Sequence, residues 1–317
     1  MTAESATAVA LRQVTKRFGE KIAVSDLSLR IPKRSLFGLI GPNGAGKTTT
    51  FSMMCGYILP NAGSVKVLDR GPADIAALRG KVGVLPQDAI LPQRETVGEF
   101  LISMAVLQGL PERESAAKKV LAEVGGSDWW HRRAFELSHG MSKRVSLAQA
   151  FLGAPEVLFL DEPTAGLDPK SAHEIRDLIT KRRGEATIVI SSHNLHELEE
   201  ICDRAAILDR GVLVASGTIA ELSGATSAVV FSISRALLAD ERSKLEAFDG
   251  LTRIEWQGEE DSSSNTGGAL QVFFNPETTT SEKVIRLVAR SLFDLEIGVR
   301  AITPGLGLER RVMDLTE

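Results

Sequence analysis

The sequence predicts an α/β fold: a largely parallel sheet with an antiparallel edge, a helical insertion, and a small α+β domain after it. Three observations carry this. Short apolar runs alternate with stretches of helical periodicity between Leu36 and Leu208. The octapeptide Gly41 to Thr48, rich in glycine, joins the first of these runs to a helix-compatible stretch. Past Gly224 a second alternation of strands and helices begins, in a different order.

Length and composition fit this plan. The 317 residues leave room for about two domains, and 43% hydrophobic with 25% charged residues is ordinary for a globular protein. A formal net charge of −4, with no basic tail, leaves no electrostatic footprint for nucleic acid, so no nucleic-acid partner is expected. Cys55 and Cys202 lack metal-ligand spacing and read as small buried apolar residues, as suits a reducing cytosol. No apolar stretch approaches the length of a membrane span, and Met1 to Ala10 lacks the blocks of a signal peptide. The chain itself is expected to be soluble and cytoplasmic, reaching a membrane only through a partner.

Element by element, Leu11 to Ile31 mixes short alternating runs, with Gly19 and Pro32 as turn residues. Leu36 to Ile40 reads as a buried strand, and Ser64 to Asp69 and Lys81 to Leu85 as further short strands. From Thr96 the pattern turns helical, with Val97, Leu101, Met104 and Leu107 at three- to four-residue spacing. Glu112 to Val124 repeats that signal, and Gly125-Gly126 ends it. Helices are expected at Ser142 to Leu152, Ser171 to Lys181 and Leu195 to Cys202, with strands at Val157 to Leu160 and Thr187 to Ser191. Ala205 to Leu208 and Val212 to Ala215 suggest a hairpin around Asp209-Arg210-Gly211. Beyond Gly224, strands at 228–234, 252–256, 270–274 and 296–302 and helices at 237–248 and 281–292 give the order β-α-β-β-α-β, a ferredoxin-like arrangement. Gly258 to Gly268 is polar and reads as a mobile loop.

Gly41 to Thr48 completes the pattern G-x-x-x-x-G-K-[ST], which chance produces about once per hundred chains of this length. Its backbone N–H groups can wrap phosphates, and the helix that follows adds its partial positive charge. Gly41, Gly44 and Gly46 admit close backbone approach, Lys47 can reach the β- and γ-phosphates, and Thr48 can ligate Mg²⁺. The apolar run Val157 to Leu160 ends in Asp161 and Glu162. Two carboxylates at the end of a buried strand are costly unless a cation or a reaction needs them. Asp161 suits the Mg²⁺ shell and Glu162 a general base, the alternative being caps of the turn at Pro163. Ser138 is a good N-cap for the helix bearing Lys143 and Arg144.

The order of these motifs resembles the nucleotide-binding subunits of ABC transporters over about Leu11 to Leu222. The resemblance implies an ABC-type core spanning residues 1–223, a helical subdomain at about 88–153, and a small accessory domain at 224–317. It makes Gly41, Pro42, Asn43, Gly44, Ala45, Gly46, Lys47, Thr48 and Thr49 the ATP-binding loop (Walker A), and Asp161-Glu162 Walker B with its catalytic glutamate. Gln87 matches the Q-loop glutamine, which senses Mg²⁺ and the membrane partner. Ser138 and Gly140 match the signature motif, Asp168 the D-loop, His193 the switch histidine, and Phe18 the aromatic that stacks on adenine. It further implies ATP hydrolysis within a homodimer or pseudo-dimer of ATPase subunits, closed head to tail around two ATP. The dimer would drive a separate integral-membrane permease from the cytoplasmic face.

His139 and Met141 replace the first glycine and the glutamine of the commonest signature, Leu-Ser-Gly-Gly-Gln. The Ser-His-Gly-Met form is similar to the branch of drug, antibiotic and polysaccharide exporters. A soluble ABC-type ATPase acting on the ribosome, nucleic acid or a protein assembly is the alternative, disfavoured by the lack of a basic stripe or a second cassette. The acidic run Glu197-Leu198-Glu199-Glu200 reads as a solvated helix face. Trp129 and Trp130 fit either a permease contact surface or core or rim packing.

Overall fold

A computed structural model describes residues 6–224, 227–257 and 267–316. The chain divides into two compact units, Met1–Ser216 and Gly217–Leu315. The first unit runs β1 (Thr7–Phe18), β2 (Lys21–Pro32), β3 (Leu36–Ile40), α1 (Lys47–Met54), β4 (Ala62–Val67), α2 (Ile75–Leu78) and β5 (Val82–Leu85). It continues with α3 (Val97–Leu107), α4 (Arg113–Glu123), α5 (His139–Phe151), β6 (Val157–Asp161), α6 (Pro169–Thr180), β7 (Thr187–Ser191), α7 (Leu195–Ile201), β8 (Arg204–Asp209) and β9 (Val212–Thr218).

Its main sheet has the order β5-β6-β7-β3-β8-β9. The pairs β5/β6, β6/β7, β7/β3 and β3/β8 are parallel. Every residue of β3, β6 and β7 is buried, so these strands read as unbroken apolar runs and not as alternations. Two residues separate β8 from β9, too few to join parallel strands, which makes β9 the expected antiparallel edge.

A second sheet, β2-β1-β4, is antiparallel. The stretch read as several short runs is in fact two long strands interrupted by register shifts. Gln13 and Asp26 adopt φ of 48° and 46°, and their N–H groups donate to the hydroxyls of Ser28 and Thr15 instead of the ladder. Each such bulge inverts the alternation, which is why the pattern looked fragmented.

The helical insertion is α3, α4 and α5. Thr96 and Glu99 form a reciprocal cap that starts α3, and bonds from the Thr96 N–H and hydroxyl hold the Glu99 carboxyl below its usual range. Trp130 lies over the first turn of α3, so close that a Cβ on Gly98 would stand 2.6 Å from its ring. The Lys118 ammonium sits 5.3 Å from the same ring. Trp130 is half-buried against this helix.

The core that matters for chemistry joins α1 to β6. Phe51 and Phe159, both fully buried, meet edge to face at 5.8 Å and 77°. That contact fastens the helix after the phosphate loop onto the strand that ends in the acid pair.

The second unit contains α8 (Ile219–Leu222), β10 (Ala228–Ile233), α9 (Ala239–Glu246), β11 (Leu251–Gln257), β12 (Gly268–Phe274), α10 (Ser281–Asp294), β13 (Val299–Pro304) and α11 (Leu308–Thr316). Its sheet is antiparallel in the order β11-β12-β10-β13. With helices after its first and third strands this is the ferredoxin-like topology. Val229, Phe231, Ile233, Leu270, Val272, Val284 and Val288 form its separate core. Of the segment expected to be a mobile loop, residues 258–266 lie outside the described residues, and Gly268 opens β12.

Candidate functional site at the carboxyl ends of the parallel strands

Parallel register alone brings the sequence motifs together. Leu85 of β5 pairs with Leu160 of β6, so Gln87 and Glu162 each lie two residues past matched positions. Asp161 pairs with Ser191, and Leu39 with the same Ser191, which sets Gly41 level with His193. Four strands thus deliver Gln87, the acid pair, His193 and the phosphate loop to one edge of the sheet, in that order.

The loop is wedged between neighbouring main chains. Gly41 has φ 151°, and a Cβ there would stand 2.1 Å from the Leu208 carbonyl oxygen. Gly46, at φ 94° before α1, would clash with the Ala23 carbonyl at 2.7 Å. The Ala45 carbonyl accepts from the Gly211 N–H at 3.1 Å, tying the loop to the β8–β9 turn. Ala45 is buried, whereas Pro42, Asn43, Gly44 and Thr48 are exposed and Thr49 is half-buried. The Lys47 Nζ donates to the carbonyls of Gly41 (2.6 Å) and Pro42 (3.0 Å). Burial lowers its pKa, opposed by the charges of Glu162 and Asp161. Phe18 is exposed at the end of β1, pairs with Lys21 two residues before Ala23, and has the Lys16 ammonium 5.2 Å from its ring.

Asp161 is buried, and its carboxylate accepts from the Ser191 hydroxyl. Burial pushes its pKa above the carboxylate range, against the pull of Ser191, Lys143 and Lys47. Glu162 follows with φ 48°, in the left-handed region that a side chain disfavours. Its N–H donates to the Ser191 carbonyl at 3.0 Å, and its Oε2 lies 2.8 Å from His193 Nδ1. Acid and histidine, 31 residues apart, therefore form one hydrogen-bonded pair. The Gln87 side chain is exposed beside them.

Ser138 caps α5 through its hydroxyl, which accepts from the Met141 N–H at 3.3 Å. The start of α5 lies against the 166–171 segment of the same chain: a Cβ on Gly166 would stand 3.3 Å from His139 Nε2, and one on Gly140 3.2 Å from Ser171 Oγ. Asp168 caps α6, accepting from the N–H groups of Lys170 and Ser171 and from the Ser171 hydroxyl at 2.6 Å. These bonds, led by Ser171, hold its pKa below the usual range.

Two charged residues were missed or misread from sequence. Lys143, only 9% exposed on α5, has a pKa lowered by burial and stands in the field of Glu162, Asp161 and Asp88. Its spacing of four from Leu147 was the available signal. Glu197, read as part of a solvated face, is buried: its carboxylate accepts from Thr164 Oγ1 at 2.6 Å and from Arg176 Nη1 at 2.9 Å. The acidic run hid this because Glu197 shares the inward face of α7 with Leu198 and Ile201.

The family model for ABC transporters matches residues 24–165. The Nod factor export ATP-binding protein I of Rhizobium etli is 37% identical over 67% of this chain and 68% of its own length. An ABC transporter ATP-binding protein of Bacillus subtilis is 33% identical over 71% of this chain and 76% of its own. ABC transporter A family member 1 of Dictyostelium discoideum is 37% identical over 63% of this chain, a match that spans 23% of that longer protein. Among solved structures, an ATP-binding subunit of an ABC transporter superposes with a TM-score of 0.63 at 27% identity, covering 68% of this chain and 92% of its own. A dimeric bacterial ABC transporter cassette, at 24% identity and TM-score 0.60, covers 67% of this chain and 98% of its own and shares the fold. A phosphate loop, an acid pair and a histidine on adjacent strand ends, together with these likenesses, place the chain in the family of ATP-binding, ATP-hydrolysing subunits of ABC transporters.

Proposed function

We propose that this chain is the energy subunit of an exporter: two ATPase subunits close head to tail around two ATP and drive a separate membrane permease. The observation that carries the chemistry is the 2.8 Å contact between Glu162 Oε2 and His193 Nδ1, beside the phosphate loop. Backbone N–H groups of residues 43–49 and the Lys47 ammonium bind the phosphates, and Phe18 offers its exposed ring to adenine. Lys47 exchanges the carbonyls of Gly41 and Pro42 for phosphate oxygens. Glu162 takes the proton of the water that attacks the γ-phosphorus, the bond to the bridging oxygen breaks, and ADP and phosphate leave. His193 fixes the Glu162 carboxylate and reaches the γ-phosphate.

Thr48, Gln87 and Asp161 supply the oxygen donors that Mg²⁺ prefers, and the costly burial of Asp161 suits a cation partner. When bound, Mg²⁺ would neutralise charge that develops on the β- and γ-phosphates. Ser138 and Gly140 would come from the second subunit to the γ-phosphate, with Asp168 at the same interface. ATP binds this closed state far better than the open one, and that difference is what moves a permease.

An apolar surface of the first unit would receive the permease. Met54, Pro72, Ile75, Leu78 and Leu107 line a cavity of about 220 Å³, and Tyr57, Leu59, Ile75 and Leu107 are exposed apolar side chains in the same unit. Among the described residues no helix is long and apolar enough to cross a membrane. Attachment at the cytoplasmic face would run through the permease. Export is favoured by likeness to Nod factor export proteins. Residues 224–317 would serve as an accessory domain outside the ATPase cycle.

Glu162→Gln should keep ATP affinity and lower turnover by at least about a hundredfold. Trapped with ATP in native membranes and extracted in mild detergent, it should bring down a multi-span protein in stoichiometric amount. Normal turnover would refute the base, and recovery of ribosomes or nucleic acid would refute the permease.

A further inference from the structure

His193 presents a problem of placement. Its side chain is 69% exposed, so burial does not hold it at 2.8 Å from Glu162. Glu162 in turn sits at φ 48°, a backbone state that persists only where the surroundings impose it. Something beneath both residues must set them.

We propose that buried Thr164 and Glu197, with half-buried Arg176, form a brace that positions Glu162 and His193 for hydrolysis. This inference rests on the reading of those two residues as the hydrolytic pair. Thr164 stands two residues after Glu162, in a turn whose Ala165 N–H donates to the Glu162 carbonyl at 3.3 Å. Its hydroxyl donates to Glu197 Oε2 at 2.6 Å, with both residues no more than 9% exposed. Glu197 lies in the first turn of α7, four residues after His193, and the Asn194 side chain caps its N–H at 3.3 Å. Its second oxygen accepts from Arg176 of α6 at 2.9 Å, and Arg176 also lies 3.2 Å from Glu200.

The Arg176 pairs tie α6 to α7. The Thr164 bond ties a different segment, the acid turn, to the same carboxylate. One carboxylate thereby sets the backbone just after the base and the helix just after the histidine, at fixed separation. A buried carboxylate bonded on both oxygens is rigid, and rigid support beneath a reacting pair is what transition-state geometry needs. These are positioning residues, none of which touches the reacting atoms.

The test is steady-state hydrolysis by the full chain, with ATP affinity measured separately at equilibrium. Thr164→Val keeps the shape and removes the hydroxyl. It should lower kcat by at least about tenfold, since small misplacement of a reacting group has effects of that size. ATP affinity should stay within about twofold, because the phosphate loop is untouched. Thr164→Ser should restore most of kcat, and Thr164→Val should add no further loss in a Glu197→Gln background. The brace is refuted by wild-type kcat in Thr164→Val, by parallel loss of kcat and ATP affinity, or by failure of serine to rescue. Glu162→Gln, run alongside, separates the two levels. An inactive Glu162→Gln with a fully active Thr164→Val refutes the brace alone, and an active Glu162→Gln refutes the assigned base and the brace with it.

Discussion

The two sheets that dominate the two units handle chemistry in opposite ways. In the first unit, β3, β6 and β7 are buried along their whole length, and every polar group of interest is pushed to their carboxyl ends. In the second, β10 and β12 mix buried and half-exposed positions, and β13 is exposed at all six residues. Its ion pair of Arg235 with Glu241, the acid buried and the arginine partly exposed, joins the start of α9 to the chain after β10. A parallel sheet covered on both faces concentrates function at one rim, whereas an antiparallel sheet spreads stability without gathering reactive groups.

Substitutions can break or sharpen that contrast. Phe159→Ala and Phe231→Ala each remove a fully buried ring and should each destabilise their unit by about 3–5 kcal/mol. Only the first should also lower ATP hydrolysis, because Phe159 seats the phosphate-loop helix on the acid strand. Equal loss of hydrolysis in both, measured per folded molecule, would erase the contrast.

A smaller effect is expected at Glu241. Arg235 donates to both of its oxygens, the Leu238 N–H donates to one, and its pKa is lowered chiefly by Arg235. A lowered carboxyl pKa contributes stability that is present above the unfolded value and lost as pH falls through the folded one. Acidification below about pH 4.5 should therefore weaken the second unit, and Glu241→Gln should cost about 2 kcal/mol and remove this pH dependence. Melting curves from pH 7 down to pH 3 decide it.

The smallest shift should have the opposite sign. Burial raises the Asp161 pKa, so its charge opposes folding at neutral pH. Asp161→Asn should raise Tm by about 2–4 °C while abolishing hydrolysis. A lowered Tm would mean that Lys47 and Lys143 already compensate the carboxylate.

Sequence made the first unit more legible than the second, and its motifs more legible than their meeting. A fully buried strand that ends in Asp161-Glu162 declares itself, because no other element needs such residues. The contact of Glu162 with His193 was hidden, since it depends on β6 lying beside β7, and strand order is not written in local periodicity. Glu197 was misjudged because three acids in four residues look solvated until the inward face of α7 is known. The four-residue α2 has too few turns to show a period, and α11 was passed over because a single stripe through Leu308 and Val312 identifies it.

The clash distances at Gly41 and Gly46 have an evolutionary consequence. Both glycines press hardest on carbonyl oxygens, those of Leu208 and Ala23, with the side chains of Ala45 and Val24 farther off at 2.9 and 3.4 Å. A carbonyl is the same whichever residue carries it. The strands flanking the loop are therefore free to diversify their side chains, provided their backbones stay in register. The ATPase engine can drift toward new partners around a phosphate loop whose tightest constraints are set by main chain.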